Sequence, residues 1–134
     1  MAITHLDEYP IHQAPLPMGW AASSDRNFYD RCYFNAHDRT GDVFLITGLG
    51  VYPNLGVIDA YATVRHGDRQ VTVRASDALG DDRSVQAVGP YRIEVVEPLR
   101  ELRVVCDAED HGVAFDLRWT GSFPAVEEAP HVWR

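Results

Sequence analysis

The chain has 134 residues, which is enough for one domain of ordinary size whose core needs no disulfide or metal. Its formal net charge is −8, from 20 acidic residues against 12 basic residues that are all arginines. Because it lacks a basic patch, nucleic acid and anionic membrane surfaces are poor partners for it. No apolar run approaches the roughly 20 residues that cross a bilayer, and the N-terminus lacks a signal-peptide pattern, so we expect a cytoplasmic protein.

The sequence predicts a single β-domain, 1–134, in three parts. Residues 1–22 predict an extended arm, because prolines interrupt them and no apolar periodicity is present. Trp20 is the expected anchor of this arm. Residues 23–122 predict the β-domain itself, and residues 123–134 predict a tail without a strong pattern.

The first strand-like segment, residues 27–36, has two different faces. One face carries Phe28, Asp30, Cys32 and Phe34, and the other carries Tyr29, Arg31, Tyr33 and Asn35. The polar residues 37–42 that follow predict a hairpin loop.

The stretch from Gly41 to Tyr61 is the predicted centre of the fold. Residues 43–51 are apolar on both alternating faces, which favours a strand covered on both sides. Pro53 and Asn54 predict a turn, after which residues 57–66 alternate again. A strand without a polar face predicts a homodimer or a second β-domain that covers it.

Four more alternating segments follow, at residues 70–76, 91–97, 101–107 and 113–120, and residues 77–88 predict a long loop. No window has the 3.6-residue period of a helix, and turn signals recur about every ten residues. The sequence therefore predicts an all-β antiparallel meander of about seven strands that forms a lipocalin-like barrel or a sandwich.

Recognised motifs for metals and cofactors do not occur in the sequence. The histidines are scattered at spacings that do not suit zinc, and acidic pairs such as Asp81 and Asp82 lack the ligand spacing of a calcium loop. The sequence Gly48-Leu49-Gly50 precedes no helix, which argues against a dinucleotide site. Cys32 and Cys106 predict buried thiols that could form a disulfide only if their strands are neighbours. We expect no cofactor and no metal.

Asp30 is the one candidate for catalysis. On strict alternation it shares a face with Cys32 and Phe34, and a carboxyl group among apolar neighbours has a raised pKa and can act as a general acid. The commoner alternatives are an ion pair with an arginine such as Arg31 or Arg74, or a bulge that turns the carboxylate to solvent.

Five residues are candidates for ligand binding, namely Trp20, Tyr33, Asn35, Asp59 and Tyr61. A cavity orients an apolar guest with a few polar groups on an aromatic lining, and Trp20 would be a lid supplied by the arm. The alternative for Asp59 and Tyr61 is an ordinary solvated strand face. Asp30 and Tyr33 have opposite parity on their strand, so they cannot share one cavity unless a bulge intervenes.

Two runs in the middle of the chain carry a family resemblance, through Phe28-Tyr29, Tyr33-Phe34-Asn35, Asp38, Gly41, Gly48, Pro53-Asn54 and Gly56. They resemble the start of proteins related to hydroxyneurosporene synthase, the carotenoid 1,2-hydratase-like group. The resemblance implies a lipocalin-like, calycin-like β-domain that is the first half of a longer two-domain architecture. It also implies hydration or isomerisation of an isoprenoid or polyketide-like substrate without a cofactor.

Two functional hypotheses from different classes follow. The first is binding of an apolar small molecule, such as an isoprenoid, a lipid or a polyketide-like compound, with hydratase, lyase or isomerase activity left open. The second is a non-catalytic β-domain that associates with a partner chain. A cavity lined by aromatic side chains would favour the first, and a filled core with an exposed apolar patch would favour the second.

Overall fold

A computed structural model describes residues 3–10, 20–21 and 23–127 of the chain. The strands are β1 (Asp30–His37), β2 (Val43–Tyr52), β3 (Val57–His66), β4 (Arg69–Ala78), β5 (Ala87–Val88), β6 (Tyr91–Glu97), β7 (Glu101–Ala108) and β8 (Val113–Thr120). Short 3₁₀ helices lie at His5–Glu8 and Glu109–His111. In this part of the chain no helix has the length and apolar character that crossing a membrane requires.

The strands form two separate four-stranded antiparallel sheets, in the orders β1-β2-β3-β4 and β5-β6-β7-β8. Within each sheet every strand pairs with its neighbour in the chain, because short connections join them. The prediction of an all-β antiparallel meander is therefore confirmed, with eight strands in the described part of the chain against the predicted number of about seven. The sheets do not close into one barrel.

The core lies between the two sheets, where their inward-facing side chains meet. Leu49 and Ile58 from the first sheet and Val104 from the second are among its deeply buried members. The rings of Phe34 and Trp119 are 5.1 Å apart between centroids, which joins β1 to β8. β4 contacts both β5 and β8, the two edge strands of the second sheet, so β4 runs across that sheet.

The boundaries predicted at the connection between the sheets are wrong. β4 continues to Ala78, and residues 87–88 form a short strand instead of belonging to a loop. The end of β4 is polar, with Asp77 beside Ala78, and it is held by main-chain pairing with β3. Side-chain alternation cannot reveal a strand that is held in this way.

The predicted arm is only partly described. Thr4 caps the 3₁₀ helix His5–Glu8 by accepting a hydrogen bond from the backbone N–H of Leu6, so this part of the arm is not extended. Residues 1–2, 11–19 and 22 lie outside the described residues, and the extended conformation predicted for them stays a prediction.

Cys32 and Cys106 are free thiols on strands of different sheets. Burial raises the pKa of both thiols above the ordinary value. Both therefore stay protonated near neutral pH. Cys106 is buried as predicted, whereas Cys32 is half-buried.

Asp38 holds the hairpin between β1 and β2. Its carboxylate accepts a hydrogen bond from the hydroxyl of Thr40 and another, at 3.1 Å, from the backbone N–H of Val43. Because these bonds favour the charged form, they lower the pKa of Asp38 to about 2.

Acid should therefore weaken this hairpin. The contribution of Asp38 is complete above the ordinary pKa of 3.8 and is lost as the pH falls toward the folded-state pKa of about 2. An NMR titration should place the Asp38 midpoint near 2, and Asp38→Asn should reduce the loss of stability over that range. Asp68→Asn, in the exposed β3–β4 turn, is the control. A midpoint at the ordinary value would contradict the prediction.

Candidate functional site

The outward-facing residues of the first sheet lie in rows across its four strands. One row consists of Tyr33, Gly48, Tyr61 and Arg74, each paired with the next across the sheet. The neighbouring row consists of Arg31, Gly50, Asp59 and Ser76. We call these eight residues the outer-face cluster.

Two glycines of β2 let side chains from the neighbouring strands lie across it. A Cβ atom at Gly48 would stand 3.3 Å from Cε1 of the Tyr61 ring. At Gly50 a Cβ atom would stand 2.8 Å from Nε of Arg31 and 3.0 Å from Oδ1 of Asp59. The absence of side chains at both positions therefore makes room for the Tyr61 ring and for the contact between Arg31 and Asp59.

Arg31 joins β1 to β3 over Gly50. Its Nη2 donates to Oδ1 of Asp59 at 3.3 Å, and its guanidinium carbon lies 5.6 Å from the centre of the Tyr52 ring, a cation–π contact. Both charged side chains are well exposed, so the pair orients them more than it stabilises the fold. Burial, together with the negative charge of Asp59, raises the pKa of Tyr52, and its hydroxyl stays a hydrogen-bond donor at neutral pH.

A half-open cleft of about 470 Å³ lies on this face. It is lined by Arg31, Asp59, Ala60, Tyr61, Arg74, Ala75 and Ser76. The volume is within the range of small-molecule sites. Tyr61 supplies an aromatic wall and its neighbours supply charged and hydroxyl groups, so the cleft can hold a small molecule that has a flat part and a few polar atoms.

Four of the five predicted ligand-binding residues share the outer side of the first sheet. Tyr33, Asp59 and Tyr61 belong to the outer-face cluster, and Asn35 lies in the next row along β1. Tyr33 is 59% exposed, whereas Tyr61 is half-buried. The structure brings these side chains to one surface, and their role in binding stays a prediction.

Trp20, the fifth candidate, lies elsewhere. Its side chain is 67% exposed, and its backbone carbonyl accepts a hydrogen bond from Nη2 of Arg83 at 2.7 Å. Trp20 therefore contacts the domain through its main chain, and its exposed side chain does not make this contact. As far as the chain is described, Trp20 does not line the cleft beside Tyr61.

Sequence reasoning alone does not single out the two glycines and Arg74 as members of a site. The sequence nevertheless contains a signal for them, because alternation places Arg74 on the side of its strand opposite to the inward-facing Val73. Glycines two positions apart in a strand, such as Gly48 and Gly50, indicate close approach of other groups on one face.

Asp30 faces the interior, on the opposite side of the first sheet from the outer-face cluster. It is 7% exposed, and the pairing of β1 with β2 is continuous beside it, so no bulge turns it outward. Burial lowers the pKa of Arg83, which is 2% exposed, and the negative charge of Asp30 partly offsets this effect. An arginine near Asp30 is therefore Arg83, whereas Arg31 and Arg74, the examples named from the sequence, line the cleft on the outer side.

Arg83 holds the N-terminal segment against the domain. Its Nη1 donates to the carbonyl of Pro10 at 3.5 Å, and its Nη2 donates to that of Trp20. A second half-open cleft, of about 430 Å³, lies beside Asp30 and is lined also by Asp7, Glu8, Tyr9, Pro10, Arg31, Cys32 and Gln86. Asp30 therefore has polar as well as apolar surroundings, and its role as a general acid stays a prediction.

Within residues 3–10, 20–21 and 23–127, no three His, Cys, Asp or Glu side chains come together as a metal site would require. The outer-face cluster has charged, aromatic and hydroxyl groups, which suit reversible binding through stacking and hydrogen bonds.

Fold and site together define an eight-stranded, two-sheet antiparallel β-protein with a polar and aromatic cleft on the outside of one sheet. The chain belongs to a family of unknown function, DUF8625, whose model matches residues 3–134. No curated protein and no solved structure matches the chain. The predicted relationship to hydroxyneurosporene synthase-like proteins stays a prediction.

Proposed function

We propose that the chain is a small-molecule binding domain whose site is the cleft on the outer side of the first sheet. The observation that carries the proposal is the placement of the Tyr61 ring, which lies over Gly48 and forms a wall of the cleft. A ring that is already held in place loses little conformational freedom when a flat ligand packs on it.

The lining indicates the class of ligand. Tyr61 offers apolar aromatic surface, Tyr33 stands beyond Gly48 in the same row, and Asp59 and Ser76 offer hydrogen bonds. An isoprenoid, lipid or polyketide-like molecule with a polar end has this combination of features. The proposal places the ligand outside the sheet, because the space between the two sheets contains the buried side chains of the core.

The neutral fluorescent compound N-phenyl-1-naphthylamine is a suitable probe of this site. It should bind the wild-type protein saturably, and Tyr61→Ala should weaken binding about tenfold, because packing on one aromatic ring contributes roughly 1.5 kcal/mol. Tyr33→Ala, which removes an exposed ring beyond the cleft, should weaken binding less. Circular dichroism of each variant confirms that it is folded.

Phe123→Ala is the matched control, since it removes a ring that is 84% exposed and lies outside this face. It should leave the affinity for the probe unchanged. Equal losses in Tyr61→Ala and Phe123→Ala, or a wild-type protein that does not bind the probe saturably, would contradict the proposed function.

Association with a partner chain is the second candidate, in the form of a homodimer or a second β-domain. Tyr29, just before β1, and Tyr33, within it, favour association, because their side chains are 58% and 59% exposed. Tyrosine and arginine are enriched at the centres of protein interfaces, and this side of the sheet has both. Light scattering tests the homodimer, because only the homodimer requires a particle larger than the monomer.

Hydratase, lyase or isomerase activity through Asp30 is not part of this proposal. Asp30 lies on the inner side of the first sheet, so a ligand on the outer-face cluster does not reach it. Such activity would need the cleft beside Pro10 and Gln86 instead.

A further inference from the structure

The outer-face cleft contains a positive charge that neighbouring side chains do not neutralise. On the outer side of the second sheet the arginines are ion-paired, Arg92 and Arg103 with Glu94, Arg103 with Asp116, and Arg118 with Glu101. On the first sheet, Arg31 pairs with Asp59, and Arg65 donates to the carbonyl of Gly41 at 2.8 Å. Arg74 alone among these outward-facing arginines has neither kind of contact within the described residues.

The outer side of the first sheet is positive although the protein is acidic. Its strands direct Arg31, Arg65 and Arg74 outward together with one acidic residue, Asp59. The net charge of these strand residues is +2, whereas the net charge of the whole chain is −8. An anion is therefore attracted to this side of the molecule and repelled by the rest of it.

Arg74 lies next to Tyr61 in the lining of the cleft, on the neighbouring strand β4. The two residues are directly opposite each other in the pairing of β3 with β4, and both line the cleft with Ser76. Cβ atoms of directly opposite residues are about 5 Å apart, so the two side chains start from adjacent points of the same cleft. A guanidinium binds an oxyanion through two parallel N–H donors, and the hydroxyl of Ser76 supplies another donor.

We infer that the small molecule taken by this cleft carries an anionic oxyacid group, which Arg74 and Ser76 hold while the flat apolar part lies on Tyr61. The inference rests on the proposed function and adds the charge of the ligand to it. The ligand class is then an acidic amphiphile, such as an apolar carboxylic acid in its ionised form.

Two probes that differ by one anionic group test this. 8-Anilinonaphthalene-1-sulfonate has the ring system of N-phenyl-1-naphthylamine with one sulfonate added. The wild-type protein should bind the sulfonate probe about fivefold more tightly than the neutral one, the effect of one exposed charge-assisted contact. Arg74→Gln should abolish this preference, so that the ratio of the two affinities falls to about one whatever its effect on the neutral probe; an unchanged ratio would overturn the inference. Added salt should reduce the preference in the wild-type protein.

Arg118→Gln makes the same change of charge on the outer side of the second sheet and should retain the preference. If the wild-type protein does not prefer the sulfonate probe, or if Arg118→Gln loses the preference equally, the inference is overturned while binding of the neutral probe still supports the proposed function. Absence of saturable binding of the neutral probe would overturn the proposed function and the inference together.

Discussion

Arg83→Met should lower the free energy of unfolding by about 2–3 kcal/mol, because it removes hydrogen bonds made by a buried charged donor. Arg83 is 2% exposed, and the negative charge of Asp30, which is 7% exposed, acts on its guanidinium. The substitution also removes the donors to the carbonyls of Pro10 and Trp20. Urea unfolding followed by far-UV circular dichroism measures the loss.

Asp30→Asn in the background of Arg83→Met separates the charge from the two main-chain hydrogen bonds. If the charge interaction between Asp30 and Arg83 contributes to the loss, the double variant should be less destabilised than the sum of the two single variants. Arg118→Met is the control, because its side chain is 63% exposed, and its ion pair should contribute at most about 1 kcal/mol. If Arg83→Met lowers the free energy of unfolding no more than Arg118→Met does, the contacts of Arg83 do not stabilise the fold as predicted.

Gly48→Ala should be destabilising by roughly 2–3 kcal/mol, the effect of placing an extra methyl group in a packed region. A Cβ atom at this position would stand 2.6 Å from the backbone carbonyl oxygen of Cys32. The main chain of β1 cannot move away without disturbing its pairing with β2. The same methyl group would press on the Tyr61 ring, so the affinity for N-phenyl-1-naphthylamine should fall as well.

Gly50→Ala is the matched comparison two positions along β2. There the atoms nearest to the added methyl group are Nε of Arg31 and Oδ1 of Asp59, which belong to exposed side chains that can move. We expect a loss of less than about 1 kcal/mol for this variant. Equal losses for the two alanine variants would contradict the explanation by main-chain contact.

The faces of the strands could be predicted from the sequence because side chains alternate with a period of two. This period places Tyr33 and Asn35 on one side of β1 and Asp30 on the other, as the structure has them. It also predicts that Asp59 and Tyr61 share a side of β3. Four of the five predicted ligand-binding residues therefore lie on one surface.

The ends of the polar strands and the number of sheets could not be predicted in the same way. The last residues of β4 and the two residues of β5 are held by main-chain hydrogen bonds, which any side chains allow. Nor does alternation distinguish two separate sheets from one closed barrel, since both have one buried face.

The sequence by itself determined the all-β class and which residues of each strand face inward, because both follow from local periodicity along the chain. Only the tertiary structure decided that Arg83, from an irregular segment, lies near Asp30. The pairing of Gly48 with Tyr33 and Tyr61, and of Tyr61 with Arg74, was also decided only by the tertiary structure. The reason is that contacts across a sheet or between sheets depend on register and on how the sheets cross, and neither is encoded in the alternation of a single strand.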